Sequence, residues 1–354
     1  MRAGFIYFAR ERKMTASLEE VAYKLAAGGK GILAADESSS TIKKRFDAIG
    51  VESTFENRRD YREMLFRSDE AMTKYISGVI LFDETIRQKA ADGTPLVELI
   101  EKAGSIPGIK VDAGARPQPG CPGESITEGL DGLGERFKEY YDLGARFAKW
   151  RAVIDIGPHI PSYTSILANA QALARYAALA QAAGIVPIVE PEVLMDGDHD
   201  IDRCYEVTEW VLKEVFQQLF YGRVKLEGTV LKPNMVIAGK KSPKQASVEE
   251  VAEKTVRCLK NCVPTAIPSI AFLSGGQSDE EATAHLDAMI RGGGLPWNLT
   301  FSYGRALQAA PQKAWSGKAE NIAAGQAAFT HRAKMNYLAA LGQWTPEIEQ
   351  KKAA

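Results

Sequence analysis

Eight short β-rich runs alternate with longer helical stretches along this chain, and that alternation constrains the fold more than anything else in it. The runs are Gly31–Ala35, Gly78–Phe82, Gly108–Val111, Phe147–Ile154, Ile185–Val189, Leu226–Leu231, Ser269–Leu273 and Asn298–Ser302. Each is short, apolar and bounded by Gly, Pro, Asp or Ser. Between them, Ser162–Ala183 carries Ile166, Leu167, Ala170, Leu173 and Ala174 at helical spacing, and Asp202–Phe220 carries Val207, Val211, Leu212, Val215 and Leu219 on one face. Ser247 with Glu250 and Ser278 with Glu281 predict capping boxes that open two further helices. Strands alternating with helices predict an α/β fold with a parallel sheet. Eight such units predict a closed (β/α)8 TIM barrel rather than an open doubly wound sheet. No GxGxxG follows the first run, which weakens a dinucleotide-binding reading.

The 354 residues form a single predicted domain, 1–354, with no short-period repeat and no low-complexity linker. An N-terminal helical extension is expected. Its first part, Met1 to Lys13, sets Arg2, Arg10, Arg12 and Lys13 around a short apolar stretch and reads as non-functional, with Met14 as an alternative start. A helix over Ser17 to Ala27 follows. Residues 42–75 read as an extra charged helical segment walling the barrel mouth, and 342–354 as a mobile tail. A net charge of −1 argues against nucleic acid or an anionic membrane as partner, and no apolar run approaches a membrane span. The four cysteines make no dense framework and fit a reducing, cytoplasmic setting.

A barrel of this kind works at the C-terminal ends of its strands. Here those ends are charged. The first run leads into Asp36-Glu37-Ser38, the third carries Lys110 and Asp112, and the fourth carries Lys149 and Arg151. The fifth leads into Glu190 and Glu192, and the sixth ends in Lys232 with Pro233 directly after it. Residues two apart on a strand share a face. Lys149, Glu190, Glu192 and Lys232 are therefore expected to neutralise one another, and such a cluster is expected to depress a lysine pKa beside a carboxylic acid. A lone strand-end lysine usually sends its head to water. Clustered with carboxylates, it points instead to a nucleophilic amine that forms a Schiff base with a carbonyl.

The last two runs lead into Leu273-Ser274-Gly275-Gly276-Gln277 and Ser302-Tyr303-Gly304-Arg305. Loops after strands seven and eight of a barrel habitually bind phosphate. Glycine lets backbone N–H groups approach an anion, and Arg305 supplies a planar cation. Lys110 and Arg151, with Lys44 and Arg45, form a second basic group, so a substrate with phosphate at both ends is expected. The rival reading is metal chemistry. His159, His199, His285 and His331 share no ligand spacing. Asp196, Asp198, Asp200 and Asp202 mimic the start of a calcium loop. Ile201 stands where glycine is needed, and Val207 where a bidentate Glu belongs. The segment reads as a solvated loop capping the next helix, and no metal is expected.

These residues together resemble the class I fructose-1,6-bisphosphate aldolases. The matching stretches are GKGILAADES (29–38), GVILFDET (78–85), GIKVD (108–112), FAKWR (147–151), GIVPIVEPEVL (184–194), DGDHD (196–200), GTVLKPNM (228–235), FLSGGQS (272–278) and LTFSYGRALQ (299–308), in family order. The resemblance implies reversible, metal-independent and cofactor-free cleavage of fructose 1,6-bisphosphate in glycolysis and gluconeogenesis. It implies that Lys232 forms the Schiff base and that Glu190 passes protons. Lys149 and Glu192 would set the electrostatics, and Asp36 would assist bond cleavage. Ser274, Gly275, Gly276, Ser302, Gly304 and Arg305 would take one phosphate. Ser38, Arg45, Lys110 and Arg151 would take the other. It further implies a cytoplasmic homo-oligomer, commonly a tetramer. Sedoheptulose 1,7-bisphosphate would meet the same chemistry, and a scaffold that merely keeps the fold would not need Lys232, Glu190 and Asp36. Two departures stand out. Ser39-Ser40 replaces the Thr-Gly frequent in the family, and the chain ends without the terminal tyrosine of animal members.

Overall fold

The computed structural model describes residues 16–350. Eight parallel strands close into a barrel. They are β1 (Gly31–Ala35), β2 (Ile76–Leu81), β3 (Ile106–Lys110), β6 (Phe147–Ile154), β7 (Val186–Val193), β8 (Val230–Leu231), β9 (Ser269–Phe272) and β10 (Asn298–Tyr303). Two further strands, β4 (Gly114–Pro117) and β5 (Ser125–Glu128), form an antiparallel hairpin after β3. Around the barrel the order is β1-β10-β9-β8-β7-β6-β3-β2. Helices lie between successive barrel strands, so the predicted (β/α)8 architecture is the observed one.

The barrel interior is filled, not hollow. Ile32, Ala34, Ile80, Phe147, Val186, Ile188, Val230 and Ala271 pack together inside it. Two aromatic rings set the glycines facing them. A Cβ on Gly31 would meet the Phe301 ring at 2.6 Å, and one on Gly108 would meet Phe147 at 2.4 Å. Those positions admit no side chain without moving a fully buried ring. The helix Leu18–Lys24 plugs the N-terminal end of the barrel. Its Val21 and Ala22, with Leu25 just after it, join the interior cluster, while Ser269 and Ser77 donate hydroxyl hydrogen bonds to the Ala22 and Leu25 carbonyls. The expected helix near Ser17 is thus part of the core, and Ser17 caps it in a full capping box. The Met1 to Lys13 segment lies outside the described residues.

Three elements differ from the sequence reading. The sixth strand was expected over Leu226–Leu231, but Leu226–Gly228 forms a 3-10 turn and only Val230–Leu231 pairs. The fifth was expected to stop at Val189, yet it runs on through Val193 despite Pro191. Residues 189, 191 and 193 turn their backbone groups toward the β8 side, because alternate residues of a strand hydrogen-bond in opposite directions. Lys232 N–H donates to the Val189 carbonyl, and Val193 N–H donates to the Asn234 side-chain oxygen. Strand β8 pairs only as far as Leu231, opposite Val189, so the N–H that Pro191 lacks costs no ladder bond. Third, Ser247 caps its helix through the Glu250 N–H alone, whereas Ser278 forms the reciprocal box with Glu281.

The segment 42–75 is helical, as Ser39–Asp47, Phe55–Phe66 and Asp69–Lys74. At the other end of the chain, residues 342–350 lie against the barrel helices. Trp344 is buried, its backbone N–H bonds Asp287 and its indole N–H bonds Glu349. Glu349 in turn meets Arg332 and His331. Asp200 caps the helix Ile201–Tyr221 by accepting the Arg203 N–H at 2.8 Å, which is the helix-capping role expected of that aspartate-rich loop. All four cysteines are free. Among the described residues, no helix is long and apolar enough to cross a membrane.

Candidate active site

The C-terminal ends of the strands open into a cavity of about 720 Å³. All fifteen residues to which the resemblance gives a catalytic or phosphate-binding role line it. Asp36, Ser38 and Arg45 come from the end of β1 and the helix after it, and Lys110 from β3. Lys149 and Arg151 come from β6, Glu190 and Glu192 from β7, and Lys232 follows β8. Ser274, Gly275 and Gly276 follow β9, and Ser302, Gly304 and Arg305 close the ring at β10. Strand alternation explains the pairs. Lys149 and Arg151, like Glu190 and Glu192, are two apart and face the cavity together, while Trp150 between the first pair points outward and stacks on Tyr176 of the helix Tyr163–Ala182.

The floor of the cavity is a buried ion cluster. Lys149 Nζ lies 2.8 Å from Asp36 Oδ2 and 3.3 Å from Glu190 Oε2, and Lys232 Nζ lies 3.1 Å from Glu190 Oε1. Lys149, Glu190 and Lys232 are each less than 5% exposed. Removing one partner of a buried pair leaves an uncompensated charge, at a cost of about 3–5 kcal/mol. Burial alone would push the Asp36 carboxyl up. The Lys149 and Lys232 ammoniums outweigh it and hold that carboxyl down at about 2. Lys149 departs from expectation. Burial should depress its amine, but Asp36 and Glu190 together raise it well above the ordinary lysine value, so it is a fixed ammonium. Glu192 also departs from the expected pairing. It binds the Arg151 guanidinium rather than a lysine, and Asp36 takes its place in the lysine cluster.

The rim separates into distinct groups. At the β9 and β10 ends, Gly275 and Gly276 adopt positive φ of 41° and 76° and turn the loop back over the cavity. Arg305 donates to the Gln277 carbonyl of that loop. Ser302 Oγ is buried and has no hydrogen-bond partner among the described residues. On the β1 side, Ser38 Oγ lies 3.1 Å from both Ser40 Oγ and Thr41 Oγ1, at the N-terminus of the helix Ser39–Asp47. The Ser39-Ser40 departure thus adds a hydroxyl to the cavity wall. Arg45, expected beside Lys110 and Arg151, stands nearer the β10 end. Its Nη2 lies 3.7 Å from where a Cβ on Gly304 would sit. Lys44 is exposed on the same helix and does not line the cavity.

Several lining residues were not singled out from the sequence. Glu37 is buried between Arg45, Arg62 and Gln308. Asp112 holds the Lys110 ammonium at 2.7 Å and accepts the Arg151 backbone N–H at 3.3 Å. Both stood in the strand-end motifs as charges without a role. Thr41, Ser40 and Arg116 also line the cavity. Thr41 carries no charge to mark it, and Arg116 belongs to the hairpin, which no alternating apolar pattern announces. Among the described residues, no three His, Cys, Asp or Glu side chains cluster as metal ligands.

Residues 17–354 match the family described as "Fructose-bisphosphate aldolase class-I". The chain belongs to the class I fructose-bisphosphate aldolases. A probable fructose-bisphosphate aldolase class 1 of Xanthomonas campestris pv. campestris is 61% identical over 328 residues, covering 92% of this chain and 98% of that one. The fructose-bisphosphate aldolase of Drosophila melanogaster is 54% identical over 338 residues, covering 94% and 92%. Among solved structures, the fructose-bisphosphate aldolase of Plasmodium falciparum superposes with a TM-score of 0.91 at 50% identity, over 93% of this chain and 95% of that one. In this class I aldolase, then, the lysine–carboxylate floor and the glycine-rich rim occupy one cavity at the catalytic end of the barrel.

Proposed function

We propose that this cavity cleaves D-fructose 1,6-bisphosphate reversibly to dihydroxyacetone phosphate and D-glyceraldehyde 3-phosphate, with Lys232 as the Schiff-base lysine. The observation that carries the assignment is the contact between buried Lys232 Nζ and Glu190 Oε1 at 3.1 Å. Glu190 accepts the proton Lys232 must lose before its amine attacks the C2 ketone. It returns a proton to the carbinolamine hydroxyl, which leaves as water and yields the iminium. The iminium draws in the electron pair of the C3–C4 bond as it breaks, giving an enamine. The C4 hydroxyl gives its proton to Asp36 as the aldehyde forms. A carboxylate held ionised at about 2 is ready to accept it at neutral pH. Lys149, fixed as an ammonium, steadies substrate hydroxyls and the charge that develops on them. Glu192 acts through Arg151, which it anchors. Protonation of the enamine and hydrolysis of the resulting iminium release dihydroxyacetone phosphate and free Lys232.

The 1-phosphate binds at Ser274, Gly275, Gly276, Ser302, Gly304 and Arg305. The partnerless Ser302 hydroxyl and the Arg305 guanidinium support that end. Ser38, Lys110 and Arg151 receive the 6-phosphate end, and Arg45 stands between the two. The electron sink is an iminium, so no step needs a metal. An assay of fructose 1,6-bisphosphate cleavage tests the reading: turnover persists unchanged after prolonged chelation, and activity lost to chelator and restored by zinc sinks it. We also propose a cytoplasmic homo-oligomer, a tetramer by family resemblance. Exposed Tyr163, Trp210, Phe220 and Tyr221 supply apolar surface for its contacts.

A further inference from the structure

The charges lining the cavity do not cancel. Among the described residues, seven basic side chains and five carboxylates face it. Five of the bases are engaged by those carboxylates: Arg45 by Glu37, Lys110 by Asp112, Arg151 by Glu192, Lys149 by Asp36 and Glu190, and Lys232 by Glu190. Two remain. Among the described residues, the carboxylate nearest Arg305 is Asp279 at 3.7 Å, and the one nearest Arg116 is Glu128 at 3.8 Å. Neither carboxylate lines the cavity. The excess positive charge of the site is therefore carried by Arg305 and Arg116.

Their positions separate them. Arg305 follows β10, and Arg116 sits on the hairpin after β3. Strands β1 and β2 lie between them on one side of the barrel, and β9, β8, β7 and β6 lie between them on the other. Lys232, at the end of β8, falls on the longer arc. Arg116 reaches the cavity beside Gly114 and Ala115 of the same strand, which also line it. Its strand is held by pairing with Ile126 opposite, so the guanidinium hangs from a fixed backbone. A paired cation must give up its carboxylate to meet a phosphate. Arg116 has little to give up, because an exposed pair at this distance is weak.

We propose that Arg116 is a specificity-determining residue that binds the phosphate at the end of the substrate remote from the Arg305 phosphate. The inference rests on the reading that this cavity cleaves a bisphosphorylated ketose. It adds a binding residue from an element outside the barrel strands, and it predicts discrimination between bisphosphate and monophosphate substrates.

The test compares fructose 1,6-bisphosphate with fructose 1-phosphate, which lacks the remote phosphate. Arg116→Ala raises KM for the bisphosphate about two- to fivefold, the range expected for a partly exposed charge pair. It leaves kcat, and both constants for the monophosphate, unchanged. Arg116→Lys keeps most of the bisphosphate affinity, and the difference shrinks at high salt as the charges are screened. Glu128→Gln, which removes the nearest competing carboxylate, lowers KM for the bisphosphate only. An Arg116→Ala enzyme whose two substrates change equally, or not at all, overturns the proposal. So does a Glu128→Gln enzyme with unaltered bisphosphate KM. Failure of the aldolase reading itself looks different, because the unaltered enzyme then cleaves neither substrate.

Discussion

Glu190 bridges two lysines, with Oε1 at 3.1 Å from Lys232 Nζ and Oε2 at 3.3 Å from Lys149 Nζ. The lysines are not equivalent. Lys149 is also held by Asp36 at 2.8 Å and stays an ammonium, whereas Glu190 is the only carboxylate bonded to Lys232 among the described residues. One carboxylate thus touches both the proposed Schiff-base amine and a second lysine held as an ammonium.

Replacing Glu190 by Gln keeps the shape and removes the proposed proton acceptor. Its kcat should fall by about 10²–10⁴, the usual contribution of a positioned acid–base group. Single-turnover mixing with dihydroxyacetone phosphate should locate the loss in slower iminium formation. Iminium formation at the normal rate would assign the proton transfer to another group.

Arg305→Ala should weaken phosphate binding about ten- to 150-fold, since a charge-assisted hydrogen bond contributes about 1.5–3 kcal/mol. Inorganic phosphate should inhibit the variant correspondingly less. An unchanged KM together with unchanged phosphate inhibition would remove Arg305 from the site.

Much of this site was legible because barrel chemistry follows strand ends. The motifs around Asp36, Lys149, Glu190 and Lys232 place charges two apart on short apolar runs, and alternation alone sends them to one face. What was not legible depends on partners far apart in sequence. Whether Glu192 meets a lysine or Arg151 is decided by the packing of β6 against β7, and Asp36 reaches Lys149 across the barrel. The rise in the Lys149 pKa follows from that unread contact. Strand β7 looked shorter than it is because Pro191 reads as a stop. Only the short β8 and the Asn234 side chain reveal why it is tolerated. The hairpin escaped notice because Arg116, Pro117, Gln118 and Pro119 carry none of the β-branched alternation of a strand.

Acid should destabilise the fold through His285. Burial pushes its imidazole down to about 4, although the Glu281 and Glu249 carboxylates pull the other way, and Nδ1 meets Gln277 Oε1 at 2.5 Å. The unfolded chain takes up this proton near pH 6.5 and the folded one only near pH 4. The stability conferred by the neutral ring is therefore complete above about pH 6.5 and is lost as pH falls through about 4. That loss amounts to about 3 kcal/mol. Urea titrations at pH 7 and pH 4.5 should show a smaller drop for His285→Gln than for the unaltered chain. Equal drops would mean that other groups dominate the acid response.

Covalent capture of the amine tests the central claim most directly. The enzyme is incubated with dihydroxyacetone phosphate, reduced with borohydride and digested, and the labelled peptide is sequenced by mass spectrometry. The reduced adduct should sit on Lys232, in the peptide spanning Gly228 to Asn234, and activity should be lost in step with labelling. Label on Lys149 or Lys110, with Lys232 unmodified and activity still abolished, would contradict the assignment of Lys232 as the Schiff-base lysine.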